Sequence, residues 1–336
     1  PVGRTEVRYR NTTLSAASIA GKKEGEGPFG KNFDYIDPSG SFGKEKWEQS
    51  EAEAQALALN FALHKAKWKP EDLGAMVAGD LINQCTSSGY GLLQFDAPFL
   101  GIFGACSTSA EGLLLSALLL DSGHFEKISV VSSSHFCSAE RQFRSPVEYG
   151  GQRPPTAQWT VTGAGAFLLE RGCGGKVLIN EVLPGTVRNA GIDDPNNMGA
   201  AMAPAALDTL LAYFWVSGKK PSDFDLVLTG DLGNEGSKIL LELGKESGLN
   251  LEGRHNDCGL MIYDRKRQDV HSGGSGCGCA ATVLSSFILP EMEKKNLKDI
   301  LFVATGALLS ADSVKQGLTI PAVAHLVELR APEKEK

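Results

Sequence analysis

The chain has 336 residues, of which 42% are apolar and 22% charged, and its formal net charge is −7. That length admits two domains or one large α/β unit, and that composition can bury a large core. The negative balance argues against a nucleic-acid groove or an anionic membrane surface as the main partner, but leaves room for a local basic pocket.

In chain order, Lys22–Lys46 is rich in Gly, Asp and Lys and reads as loop, either a lid or a packed surface segment. Ser50–Lys65 places Ala54, Leu57 and Phe61 at helical spacing and predicts an amphipathic helix. Lys69–Asn83 (KPEDLGAMVAGDLIN) follows. Its Lys-Pro-x-Asp ends the helix, because proline cannot continue one. Ala75–Ala78 then suits a buried parallel strand, which Gly-Asp breaks. Phe99–Phe103 predicts a second buried strand that runs into GACSTSAEGLLL (Gly104–Leu115), a small-residue turn opening an apolar helix. Leu113–Leu120 is the longest apolar run, short of the roughly 18 residues that would span a membrane, and no signal peptide is expected. Ile128–Ser132 is strand-like, Ala139–Pro155 is a basic loop without periodicity, and Ala164–Glu170 is again strand-like.

The second half repeats this order. Met202–Val216 carries Ala206, Leu210 and Phe214 at helical spacing, and Lys220–Asn234 (KPSDFDLVLTGDLGN) matches Lys69–Asn83 at seven positions with a constant offset of 151. Its apolar run is Leu226–Thr229. Gly276–Leu284 (GCGCAATVL) parallels the first glycine–cysteine turn, and Ile300–Ala304 and Ala322–Leu329 parallel the later strands. The reading is an α/β protein of two pseudo-duplicated halves, residues 1–175 (with the basic loop at 139–160) and 176–336, whose mostly parallel sheets are sandwiched by helices. The charged tail Ala331–Lys336 reads as frayed.

The seven cysteines, Cys85, Cys106, Cys137, Cys173, Cys258, Cys277 and Cys279, are odd in number and show no paired CxxC framework. They read as reduced thiols of an intracellular compartment. Cys106 stands out because it opens a helix after a strand. Backbone N–H groups there could stabilise a thiolate, form an oxyanion hole or receive a ligand carboxylate. The plain alternative is a small core residue. His135 and His255 follow or lie on strand-like runs and could face the cleft, since strand C-terminal ends line the ligand crevice in such sheets. Arg141, Arg144 and Arg153 cluster in the basic loop, where each guanidinium could grip a carboxylate with two parallel N–H donors. Phe143, Tyr149 and Trp159 could supply aromatic walls. The alternative is a solvated loop whose arginines pair with Glu140 and Glu148.

GACSTS after a strand, TGAGAFLLE (Thr162–Glu170) and CGCAATV (Cys277–Val283) resemble the thiolase and ketoacyl-synthase superfamily over most of residues 45–330. That resemblance implies a thiolase-like layered fold and a homodimer paired through a sheet edge. In the ketoacyl synthases it also implies a catalytic histidine and asparagine, at positions where this chain has Asp231 and Cys277. An aspartate donates a proton poorly at neutral pH unless its pKa is raised, so carbon–carbon bond chemistry is in doubt. KEGEGPFG (Lys23–Gly30), AERQFRSPVEYGGQRP (Ala139–Pro154), RHNDCGLMIY (Arg254–Tyr263), GGSGCGCA (Gly273–Ala280) and ATGALLS (Ala304–Ser310) are similar to the stage V sporulation protein AD family of spore-forming bacteria.

This second resemblance implies a protein that binds dipicolinic acid and helps deliver it into the developing spore. It would act with sister membrane proteins, peripheral at the spore inner membrane. It implies no cofactor, with Ca²⁺ entering, if at all, alongside the ligand. Cys106, His135, Arg141, Arg144, Arg153, Asp231, His255 and Cys277 are then the candidate ligand-binding set. The rival readings are an acyltransferase using Cys106, and an assembly subunit with no ligand of its own.

Overall fold

The computed structural model describes residues 7–143, 153–172 and 174–332. The chain runs through β1 (Val7–Gly21), α1 (Lys22–Gly25), β2 (Tyr35–Asp37), α2 (Trp47–Ala66), β3 (Ala75–Gly79), α3 (Thr86–Gly91), β4 (Phe99–Gly101), α4 (Thr108–Asp121), β5 (Lys127–Ser134), α5 (Phe136–Phe143), β6 (Trp159–Thr160) and β7 (Gly163–Arg171). It continues with β8 (Leu178–Leu183), β9 (Arg188–Asn189), α6 (Met198–Ser217), β10 (Leu226–Thr229), α7 (Gly233–Glu246), β11 (His255–Asp257), α8 (Cys258–Met261), β12 (Gly274–Ser275), α9 (Cys277–Val283), α10 (Leu289–Glu293), β13 (Asp299–Ala307), α11 (Ala311–Lys315) and β14 (Pro321–Arg330).

The main sheet has the order β11-β10-β13-β14-β8-β1-β7-β5-β3-β4, with β2 beside β1 and β9 beside β14. Cut between β8 and β1, it gives two five-strand arrays with the same order and the same senses. β4, β3 and β5 are mutually parallel, as are β11, β10 and β13; β7 and β14 run antiparallel to them, and β1 and β8 antiparallel to β7 and β14 in turn. The repeated Lys-Pro-x-Asp does the same work twice: Asp72 and Asp223 each accept a 2.8 Å hydrogen bond, from the backbone N–H of Lys69 and Lys220. These turns separate α2 from β3 and α6 from β10.

The halves interlock through their glycine–cysteine segments. α9 packs on β5 and β7 of the first half, and α4 touches β13 and β14 of the second. Small residues permit this closeness. A Cβ at Gly165 of β7 would lie 2.7 Å from the Ala281 carbonyl oxygen, and one at Gly306 of β13 would lie 2.1 Å from that of Gly104. Phe167 on β7 and Phe302 on β13 fill the core, each worth about 1.5–3 kcal/mol of burial.

Five readings change. The main sheet is mixed rather than mostly parallel, because β7, β1, β8 and β14 pair antiparallel along its centre. Phe99–Phe103 is not a buried strand: β4 is a three-residue edge, with Phe99, Leu100 and Phe103 exposed by 41, 44 and 46%. Edge position, rather than hydrophobicity, decides this. Part of the basic loop is helical, since α5 includes Arg141. Lys22–Lys46 is a packed segment with short elements. Its Phe29, Phe33 and Phe42 are buried, Phe29 stacks on Phe287 at 4.6 Å, and Glu24 is buried against Tyr263. Finally, α6 is long and apolar enough to cross a membrane by length and composition, with mean hydropathy 1.3 over its best window. Half of that window is buried, with Met202, Ala206 and Leu210 in the core of the second half.

A buried ion cluster fastens α6 to its sheet. Lys219 Nζ lies 2.6 Å from Glu328 and 3.0 Å from Glu181, and the Tyr213 hydroxyl lies within 3.0 Å of both carboxylates. Lys219→Met removes the ammonium that bridges two buried carboxylates, and should cost about 2–4 kcal/mol in urea unfolding. A loss below about 0.5 kcal/mol would mark the cluster as energetically idle.

Candidate functional site

The Cys106 turn is set by backbone strain. Ala105 holds φ +50, a left-handed conformation that costs a non-glycine residue roughly 1–2 kcal/mol. It aims Cys106 toward the second half. There Cys106 and Cys277 share a small apolar cluster with Leu81 and Ala139, against which Phe143 packs. Cys106 is 5% exposed and Cys277 fully buried, its Sγ donating to the Ser133 carbonyl at 2.8 Å. The two glycine–cysteine turns therefore meet.

Asp231 stands beside them at the end of β10. One oxygen accepts from Ser275 Oγ (3.1 Å) and Gly276 N–H (2.9 Å), and the other from Thr305 Oγ1 (3.0 Å). Ser275 Oγ is in turn 4.0 Å from Cys106 Sγ. Burial raises Asp231 to about 6. Burial and the neighbouring Asp231 carboxylate push the Cys106 thiol well above its ordinary range. The expected thiolate at a helix N-terminus is thus not what the site favours: α4 begins two residues later, and an acid faces the sulfur.

The histidines are occupied. His135 Nε2 donates to the Gly40 carbonyl (2.9 Å) while Nδ1 accepts from Cys137 N–H (3.2 Å), and burial lowers its pKa. This neutral ring ties the Lys22–Lys46 segment down, and both nitrogens are engaged within the fold. His255 Nε2 lies 2.9 Å from Thr229 Oγ1, which donates to Asp257 at 2.7 Å, and burial lowers His255 to about 4. Arg141 sits on the surface in an ion pair with Glu48, stacked on Trp47 at 5.2 Å. Arg153 lies against Trp159 at 4.6 Å and pairs with Asp269 at 2.9 Å. Arg144 and Tyr149 fall outside the described residues.

Three acids escaped the sequence reading. Asp257 accepts N–H groups of Leu232 and Gly233, and burial raises it to about 7. Asp80, the repeat mate of Asp231, is buried and accepts from Ile82 N–H and from both donors of Ser88. Glu51, on the buried face of α2, accepts from Ser133 and Ser138. Burial, and then the nearby Asp80 charge, raise Glu51 to about 8. The offset of 151 could have paired Asp80 with Asp231. Glu51 left no such signal, because it stands in a helix whose apolar spacing draws the eye elsewhere.

A family model described as stage V sporulation protein AD matches residues 4–330. Stage V sporulation protein AD of Bacillus subtilis is 42% identical over 93% of this chain and 91% of its own length. Among solved structures, OleA of Xanthomonas campestris superposes with TM-score 0.60 at 15% identity, covering 96% of this chain and 99% of its own. The 3-oxoacyl-acyl-carrier-protein synthase III of Aquifex aeolicus gives TM-score 0.53 at 15% identity, with 97% and 100% coverage. The fold is therefore that of the thiolase-like condensing enzymes. Within that class, the chain belongs to the stage V sporulation protein AD family, which places it in the context of sporulation.

The Glu51 shift sets a pH dependence. Its folded value lies above the ordinary 4.5, so the fold favours the neutral acid. That contribution is full below 4.5 and is lost as pH rises through about 8. Asp231 and Asp257 act in the same direction with raised values of about 6 and 7. Glu51→Gln keeps partners for Ser133 and Ser138 but cannot ionise. It should raise the thermal midpoint at pH 8.5 by about 2–4 °C or more and change it little at pH 5. Equal shifts at both pH values would refute this assignment.

Proposed function

We propose that this chain is a ligand-binding protein, which holds dipicolinic acid in the cleft of a condensing-enzyme fold and passes it to membrane proteins of the same sporulation system. Calcium, where present, enters with the ligand. The observation that carries this reading over acyl transfer is the state of Cys106. A nucleophilic cysteine needs its thiol depressed by a base or a positive field. Here Asp231 and burial raise it, and His135 and His255 are neutral and tied to Gly40 and Thr229.

Titration calorimetry with dipicolinate should show saturable binding, retained within about threefold by Cys106→Ala, since the thiol would serve only as a wall. Mass spectrometry after incubation with acyl-CoA should find no adduct on Cys106. The absence of saturable binding would end this reading, and a stable acyl adduct would favour the transferase.

The exposed edge β4 supports a homodimer. Phe99, Leu100 and Phe103 form an apolar strip beside unpaired strand edge groups, a combination that usually finds a partner. Sedimentation should show a dimer at micromolar concentration that Leu100→Lys converts to monomer. A parent that sediments as a monomer would contradict the proposal.

A further inference from the structure

Trp159 carries an unusual load. Phe136 stacks on its indole at 3.8 Å between centroids and 8° between planes, which closes one face. Lys23 Nζ lies 3.8 Å, and Arg153 Cζ 4.6 Å, from the ring centroid. A parallel ring at that distance leaves no room for a cation on its side, so the two cations share the other face. They repel each other; burial lowers the Lys23 pKa, the Asp269 charge opposes that shift, and the Arg153 charge adds to it.

The acids around this pair do not balance it. Asp269 binds Arg153 Nη2 at 2.9 Å, but its side chain is 70% exposed. Glu24 is buried and accepts from Thr162 N–H and from Tyr263. Glu26 is exposed and faces Lys22 at 3.9 Å. Arg153 Nη1 is buried with no hydrogen-bond partner among the described residues. A buried guanidinium N–H without an acceptor is costly, and an anion relieves it.

Its place in the fold ties this cluster to the cleft. β6 and β12 pair in parallel, Trp159 with Gly274 and Thr160 with Ser275. Ser275 is the residue within 4.0 Å of Cys106 Sγ, so the cations stand one ladder step from the buried floor around Cys106. Lys23 is held there: its carbonyl accepts from Gln268 at 2.7 Å, and the next residue, Glu24, is locked into the core. The floor itself is lined by buried acids, and a carboxylate ligand needs its counter-charge elsewhere.

We propose that Lys23 and Arg153, mounted on Trp159, form a rim site that takes one carboxylate of a small planar dicarboxylic acid. This rests on the binding reading above and adds Lys23 to Arg153, one of the three arginines that the sequence offers.

The test uses the full chain, calorimetry, and two probes: dipicolinate, and isophthalate, which keeps both carboxylates without the ring nitrogen. Lys23→Gln and Arg153→Gln should each weaken both probes about tenfold or more. Arg153→Lys should recover only part of the loss, because it restores charge without the planar fork. Arg141→Gln should bind like the parent. Dipicolinate binding that ignores both rim substitutions would overturn the site and leave the binding reading standing. Isophthalate binding that depends on Lys23, with dipicolinate silent, would uphold the site and defeat the dipicolinate reading. Binding of neither probe by the parent would overturn both. Should Arg153→Gln fail to fold, Lys23→Gln decides the question, since Lys23 is only half-buried and its substitution keeps the backbone anchor.

Discussion

Asp231 is buried where the second half of the molecule meets the Cys106 turn of the first, and its two oxygens gather Ser275, Gly276 and Thr305. These three groups come from the turn before α9 and from the end of β13, so one carboxylate fixes the wall that Cys106 faces. Its hydrogen bonds offset the cost of burying an acid. The same carboxylate sets the electrostatics around Cys106. It holds the opposing thiol in its protonated form, the opposite of what nucleophilic catalysis requires.

The buried acids extend this logic across the duplication. Asp80 and Asp231 terminate equivalent strands, and each is wrapped by donors of its own half. Glu51 and Asp257 stand beside them with raised pKa values of about 8 and 7. A fold shared with condensing enzymes here encloses buried acids with raised pKa values and tied histidines around a quiet thiol. The positive charge lies at the rim on Lys23 and Arg153, beside the indole of Trp159.

Much of the architecture was legible because duplication is a strong constraint. The Lys-Pro-x-Asp and Gly-Asp punctuation located β3 and β10 to within a residue, and the two glycine–cysteine turns were correctly brought together. What failed depended on tertiary position. Phe99–Phe103 looked buried because apolar residues at an exposed sheet edge and in a core read alike. The ion pair of Arg141 was not legible because its partner, Glu48, is 93 residues away. Lys23 went unnoticed because nothing local links it to Trp159. Glu51 hid for the same reason, since its partners Ser133 and Ser138 lie on a distant strand and helix.

The most direct measurement is a crystal of the protein soaked with dipicolinate. The expected result is non-covalent density in the cleft, one carboxylate against Lys23 and Arg153 and the ring above Ser275 and Cys106, with the thiol unmodified. Density confined to the outer surface, or a covalent bond at Cys106, would contradict a cleft that binds without reacting.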